Sequence, residues 1–199
     1  MRILWPTIFL IFLVAGGDIP VYSQQKIEKD LVITLERSVC YGSCPSYSLT
    51  INSDGAVRFT PLENPVYRGE ADGPKLPLEG SIAVDKLNEL LTEFEKIKFY
   101  SLRKQYGSAG NSKTETRCRV YMTDFPSAKI SIIRNGKKKS VYHCLGCHGP
   151  KILDALTALE DKIDETVDVK RWTSQYGWGA ASVWDVQLKK EPLPPTKPQ

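Results

Sequence analysis

Two turn sequences constrain the fold of this chain more than any other feature. Asp54-Gly55 and Asn135-Gly136 each supply the positive backbone φ that a tight hairpin turn requires. Apolar residues alternate with others before both turns, at 47–51 and 130–133, and strand-like residues follow at 57–59 and 140–143. A period of two is typical of strands with one buried face. The sequence therefore predicts two β-hairpins, whose strands need an antiparallel sheet.

Two helices complete the predicted fold. Apolar residues recur at steps of three and four from Val84 to Phe94 and from Ile152 to Ile163, which gives each helix one apolar face. Pro150 is expected to open the second helix. The pattern also predicts a strand at 31–36, an edge strand at 66–68 and a loop at 105–116. The order indicates an α+β domain, an antiparallel sheet built from hairpins with two helices packed on one face.

The first 23 residues predict an export signal. Arg2 precedes an apolar run at 3–14, and 21–23 have the small or β-branched residues of a cleavage site, which we place after Ser23. The run is shorter than the roughly 20 residues of a membrane span. We therefore expect a soluble periplasmic or secreted protein with one domain at 24–165 and no membrane span after cleavage.

Residues 166–199 are expected to follow the domain as an aromatic segment and a proline-rich disordered tail. The aromatic segment contains Trp172, Tyr176, Trp178 and Trp184. These side chains predict either a segment that packs back onto the domain or an exposed strip that binds a partner, because exposed tryptophans are costly unless they are used.

The positive charge of the chain is too small to indicate a polyanion partner. The formal net charge is +4, and the dense basic run from Lys137 to Lys139 directly follows a hairpin turn. Three lysines at a turn are typical of a solvated tip. We therefore expect no nucleic-acid partner.

Four of the five cysteines lie in two short clusters, Cys40 with Cys44 and Cys144 with Cys147. Disulfides persist outside the cytoplasm, so we predict that these four cysteines form disulfides. Four cysteines allow three pairings, and the sequence does not choose among them. The isolated Cys118 is expected to be the thiol that is left over.

Segment 37–51, with a Cys-x3-Cys-Pro motif at 40–45, resembles the bacterial domain of unknown function family 6438. The turn at 54–57, Thr123 to Pro126, the second hairpin turn and the helix from Pro150 to Asp164 agree with it. The resemblance covers residues 30–165. It implies an exported protein of this architecture, with no established activity and no assigned catalytic residues.

The second cluster allows three other interpretations. Cys144, Cys147 and His148 form a Cys-x-x-Cys-His string, the attachment sequence of covalent haem, in which the histidine would ligate the iron. Two thiols near a helix N-terminus are also typical of thiol–disulfide exchange. With Cys40, Cys44 and a histidine, the same cysteines supply enough ligands for a tetrahedral zinc site.

Other catalytic chemistry has little support in the sequence. No nucleophile elbow, zinc-protease helix or phosphate-binding glycine loop is present. Both histidines, His143 and His148, lie in the second cluster. We therefore interpret the chain as a disulfide-stabilised, non-catalytic binding or structural domain without cofactor or metal, with a redox protein centred on residues 143–148 as the alternative. The sequence does not identify the partner.

Overall fold

A seven-stranded sheet forms the centre of the structure, a computed structural model that describes residues 30–41, 44–62, 76–107 and 118–176. The strands in this part of the chain are β1 (Val32–Arg37), β2 (Tyr47–Asn52), β3 (Ala56–Pro61), β4 (Leu78–Ser81), β5 (Gln105–Tyr106), β6 (Val120–Tyr121), β7 (Ser127–Arg134), β8 (Lys137–Cys144) and β9 (Cys147–His148). The helices are α1 (Val84–Lys96), α2 (Lys151–Val167) and α3 (Lys170–Thr173), with a 3-10 turn at Phe99–Ser101.

The large sheet is almost entirely antiparallel. Its strands lie in the order β4-β3-β2-β1-β7-β8-β5, and only the pair of β5 with β8 is parallel among those described. The short strands β6 and β9 form a separate antiparallel pair. The predicted α+β fold, an antiparallel sheet with two main helices, is confirmed.

Both predicted hairpins are present. Gly55 has a φ of +80°, and the Asp54 carboxylate accepts a hydrogen bond of 2.9 Å from the backbone N–H of Ala56. Asn135 and Gly136 have φ values of 52° and 70°. Two consecutive positive φ angles are what a two-residue hairpin turn needs, because that turn follows the twist of its strands.

The core lies between one face of the sheet and the two long helices. Alternate residues of the central strands, among them Ile33, Leu49 and Ile130, are buried together with Leu90 of α1 and Leu156 of α2. The residues between them point to the other face, where Thr34 lies opposite both Thr50 and Ser131. A sheet with one packed and one polar face produces the alternation seen in the sequence.

The core extends past residue 165, where the sequence placed the end of the domain. Val167, Val169, Trp172 and Tyr176 are buried in the same core cluster. The Trp172 ring stacks on Phe59 at a centroid distance of 5.3 Å, and the Arg171 guanidinium lies 4.1 Å from the centre of the Trp172 ring. The apolar period breaks after α2, but the chain turns back onto β3. Trp172 and Tyr176 therefore follow the first of the two alternatives for the aromatic segment, since both pack against Phe59.

Several smaller predictions differ from the structure or concern residues outside the described ranges. The predicted loop at 105–116 begins with β5, and α2 begins one residue after Pro150. The export signal at 1–23, the edge strand at 66–68, Trp178, Trp184 and the proline-rich tail lie outside the described residues. No helix within the described part of the chain is both long and apolar enough to cross a membrane.

Candidate functional site

The fold brings both cysteine clusters to one end of the sheet. The first cluster follows β1, and the second ends β8, with β7 between these two strands. Ser127 of β7 pairs with Cys144, and its backbone carbonyl accepts a hydrogen bond of 2.9 Å from the backbone N–H of Ser38. We call residues 38–41, 44–46, 118–126 and 144–148 the cysteine-rich end.

Two disulfides lie in the cysteine-rich end. Cys40 bonds to Cys44 with a Cα–Cα distance of 5.5 Å, and Cys118 bonds to Cys147 with a Cα–Cα distance of 5.1 Å. On the chain-entropy account the short loop of the first bond contributes roughly 2 kcal/mol and the loop of the second about 3.6 kcal/mol. Cys144 is a free, buried thiol.

This pairing differs from the expectation that Cys118 is the unpaired cysteine. β6 lies antiparallel to β9, so that Tyr121 is opposite Cys147, and the backbone N–H of Arg119 donates a hydrogen bond of 2.8 Å to the carbonyl of His148. This contact brings Cys118 beside Cys147. A two-residue strand has no detectable period, and the partner of Cys147 was therefore not predictable from the sequence.

The disulfide at Cys147 affects the residues that the sequence offered for haem or zinc. The sulfur of Cys147 is bonded to Cys118, so in this state the string before His148 does not present two thiols. The His148 ring lies edge-on to Phe125, with centroids 6.4 Å apart. Within the described ranges, no group of three or more histidine, cysteine or acidic side chains is arranged to hold a metal ion.

A buried polar network lies beneath both cysteine clusters. Tyr47, Arg37, Ala128 and His143 occupy one row across β2, β1, β7 and β8, and all four are buried on the helix-covered face. Helix α2 faces this row with three acidic side chains. We call the following six residues the polar network: Arg37, Tyr47, His143, Glu160, Asp161 and Asp164.

Arg37 is the centre of the polar network. Its Nε and Nη2 atoms lie 2.8 and 2.7 Å from Oδ2 of Asp164, and Nη2 lies 3.2 Å from Oδ1 of Asp161. Its Nη1 lies 3.5 Å from Oε2 of Glu160. The Arg37 side chain is 1% exposed and that of Glu160 is 0% exposed, so water screens this contact very little.

Two sheet residues complete the network. The Tyr47 hydroxyl donates a hydrogen bond of 2.7 Å to Oδ1 of Asp164, and Nδ1 of His143 lies 2.9 Å from Oε1 of Glu160. If Glu160 is ionised, the proton between this pair belongs on His143 Nδ1, because a carboxylate only accepts hydrogen bonds. Every member of the network therefore has a polar partner.

Burial and charge shift the pKa values of the network in opposing ways. Burial lowers the pKa of Arg37, but Asp164 and the other anionic neighbours raise it by more, so Arg37 keeps its charge. Burial raises the pKa of Tyr47 and of Asp164 above their ordinary values, although Arg37 lowers both. Burial raises the pKa of Asp161 to about 6, against the opposing effect of Arg37. Three carboxyl groups around one arginine thus leave an excess of negative charge.

The raised pKa of Asp161 predicts that stability falls as pH rises. Its carboxyl binds a proton more tightly in the folded chain, where the pKa is about 6, than in the unfolded chain, where it is 3.8. The contribution of the Asp161 carboxyl to the free energy of unfolding is therefore complete below pH 3.8 and is lost as pH rises through about 6. Asp161→Asn removes this titrating group, so the free energy of unfolding should fall less steeply as pH rises. Urea unfolding of both proteins between about pH 4 and pH 7 measures the difference, and parallel curves would contradict the prediction.

Three residues of the polar network lie next to the cysteine clusters in the sequence. Arg37 lies three residues before Cys40, Tyr47 lies three residues after Cys44, and His143 directly precedes Cys144. All three side chains are fixed on α2 through its carboxylates. The network therefore sets the position of the cysteine-rich end relative to the core.

The sequence contains a signal for this network. Arg37 continues the alternation of Ile33 and Leu35, which places its side chain on the buried face of β1. Glu160 lies four residues after Leu156 and three before Ile163, on the apolar stripe of α2. A charged residue at a core position of two facing elements predicts a buried ion pair, since a buried charge needs a partner.

Exposed apolar side chains gather at the same end. Among the described residues nine large hydrophobic side chains are exposed, and three of them, Leu76, Val84 and Tyr100, are not part of the cysteine-rich end as defined above. The other six lie in or directly beside the cysteine-rich end: Val39, Tyr41, Val120, Tyr121, Met122 and Tyr142. Tyr41 is 91% exposed. We call these six residues the apolar cluster.

The chain matches the model of a known protein family. A family model described as Domain of unknown function (DUF6438) matches residues 31–167, which is more than half of the chain. The match runs from the start of β1 to the end of α2, so it includes both cysteine clusters and the polar network. No curated protein matches the chain.

Proposed function

Because the chain belongs to the DUF6438 family of domains of unknown function, we propose a function from its own geometry: it is an exported, non-catalytic domain that binds a protein partner through its cysteine-rich end. The observation that carries this proposal is the position of the apolar cluster. Six of the nine exposed large hydrophobic side chains in the described residues lie there. Apolar side chains exposed as a group mark interaction surfaces more often than scattered ones.

The composition of the apolar cluster favours a protein partner. Three of its members are tyrosines and one is methionine, and both residue types are enriched in protein interfaces. A tyrosine ring adds a large contact area at the cost of few rotatable bonds, and tyrosines are frequent among the residues that dominate binding energy. The basic run at 137–139 begins β8 directly after the hairpin turn, at the end of this strand opposite the cysteines.

Covalent and polar contacts tie the cysteine-rich end to the core, which also favours binding. The Cys40–Cys44 bond and the Cys118–Cys147 bond lie within it. The polar network binds the residues that flank its cysteines to side chains of α2. A surface ordered before association loses less conformational entropy when a partner binds. The two bonds also support export, because disulfides persist outside the cytoplasm and the apolar run at 3–14 would provide the route.

Site-specific photo-crosslinking in the native host tests the proposal. A photoreactive amino acid is placed at Tyr41 or at Tyr121, which is 41% exposed, and as a matched control at Tyr100, which is 42% exposed. We expect the same discrete protein adduct from positions 41 and 121, and we expect no such adduct from position 100. Adducts that are equal at all three positions, or that contain only copies of this chain, would contradict the binding role.

Two further measurements complete this test. Once the adduct is identified, Tyr41→Ala should weaken binding of the purified partner by about tenfold or more, whereas Tyr100→Ala should not. The protein recovered from the host should begin at Gln24 and should be found outside the cytoplasm. A chain that keeps residues 1–23 and remains in the cytoplasm would contradict export without touching the binding result.

A further inference from the structure

Three cysteines at one place form a group that the protein-binding proposal does not use. Cys118 and Cys147 are joined by a disulfide, and Cys144 is a free thiol in the same cluster. Leu145 and Gly146 form the turn between Cys144 and Cys147. A four-residue turn keeps its first and last Cα atoms within about 7 Å, which is close to the upper limit for a disulfide.

The side chains of Cys144 and Cys147 enter the same small space beside Gly107. A β-carbon built on Gly107 would lie 2.6 Å from the β-carbon of Cys147 and 3.2 Å from that of Cys144. Gly107 has a φ of +76° and no side chain, so this space stays open to the two sulfurs. The free thiol therefore lies beside the disulfide and not on a separate part of the surface.

A tyrosine hydroxyl and a histidine ring lie near these cysteines, in space or along the chain. Tyr121 lies opposite Cys147 in the β6–β9 pair, and interaction with Cys144 raises the pKa of its hydroxyl above the ordinary value. His148 follows Cys147, and its Nε2 is buried with no hydrogen-bond partner in the part of the chain that the structure describes. A buried nitrogen without a partner is costly, and such groups are often retained for chemistry.

We propose that Cys144, Cys147 and Cys118 form a three-cysteine exchange site. The thiolate of Cys144 attacks the Sγ atom of Cys147, so that a Cys144–Cys147 bond forms and the Cys118–Cys147 bond breaks. Cys118 leaves as a thiolate and takes up the proton that Cys144 lost. One sulfur–sulfur bond replaces another, and the step needs neither an oxidant nor a reductant.

The exchange moves the one free thiol of this group to a more accessible position. Cys144 is 9% exposed, whereas Cys118 is only partly buried and lies next to the exposed strand β6. A thiol released at position 118 is the form that would react with an external disulfide or alkylating agent. This inference does not depend on the protein-binding role.

Non-reducing peptide mapping distinguishes the two linkages directly. Trypsin releases Cys118 in the dipeptide Cys118-Arg119, and it releases Cys144 and Cys147 together in the peptide 140–151. The linkage in the structure therefore joins the dipeptide to peptide 140–151. The exchanged linkage gives peptide 140–151 with an internal bond and a free dipeptide. In the oxidised full-length chain, trapped with iodoacetamide, we expect both forms and label on both Cys118 and Cys144.

Three further arms make the result decisive. Label on Cys118 should appear faster at about pH 8.5 than at about pH 7, since the thiolate is the nucleophile. Cys144→Ser should abolish that label, and Cys118→Ser should give the internal Cys144–Cys147 bond on oxidation. Label confined to Cys144 with a single linkage at both pH values would overturn the proposal. Bonds from Cys40 or Cys44 to the other cysteines would also overturn it, because they would reveal scrambling of an unfolded chain.

Discussion

Replacing Arg37 with methionine is expected to lower the free energy of unfolding by about 3–5 kcal/mol. Arg37→Met keeps the length of the side chain but leaves Glu160 and Asp164 facing each other without their cation. Glu160 is completely buried, so its carboxylate cannot reach solvent to be hydrated. Removing one partner of a buried ion pair costs more than the pair itself contributes, because the remaining charge stays desolvated. Urea unfolding at neutral pH measures the loss.

An exposed arginine provides the matched control. Arg58 lies 3.4 Å from Glu79, and these side chains are 60% and 67% exposed. Arg58→Met should cost at most about 1 kcal/mol, since exposed ion pairs contribute little. A second variant, which adds Glu160→Gln and Asp164→Asn to Arg37→Met, should recover part of the loss. Equal effects of the two arginine substitutions would show that the polar network is not a stabilising centre.

Replacing Trp172 with alanine is expected to lower the free energy of unfolding by about 3–5 kcal/mol. Trp172 is 5% exposed and packs on Phe59, which is itself 0% exposed. The substitution leaves a cavity beneath α3 that the neighbouring rings cannot fill. Thermal or urea unfolding of the full chain gives the value.

Tyr41→Ala is the control for this aromatic substitution. Its side chain is 91% exposed, so its loss should change stability by at most about 0.5 kcal/mol. If Trp172→Ala were equally mild, the chain beyond residue 165 would not belong to the folded domain. The comparison therefore also tests where the domain ends.

The sequence predicted the parts of the fold that rest on local pattern. Both hairpin turns follow from Asp54-Gly55 and Asn135-Gly136, whose backbone preferences act within a few residues. The two long helices follow from an apolar stripe that recurs every three or four positions. Each of these signals is complete in fewer than 20 residues and does not depend on distant contacts.

The sequence did not predict the parts that depend on long-range pairing. The polar network needs the register of β1 with both β2 and β7, and it needs α2 to lie over that row. The partner of Cys147 depends on β6, which is two residues long. The packing of Trp172 on Phe59 joins positions far apart in the chain. These features follow from tertiary contacts, which a single sequence does not display.

The hydrogen bond between Arg37 and Asp164 has a consequence for the order of events during synthesis, because the two residues are 127 positions apart. Arg37 leaves the ribosome long before α2, which carries the acidic side chains that pair with it. The end of β1 therefore stays without its ionic partners until nearly the whole span of the family match, residues 31–167, has been made.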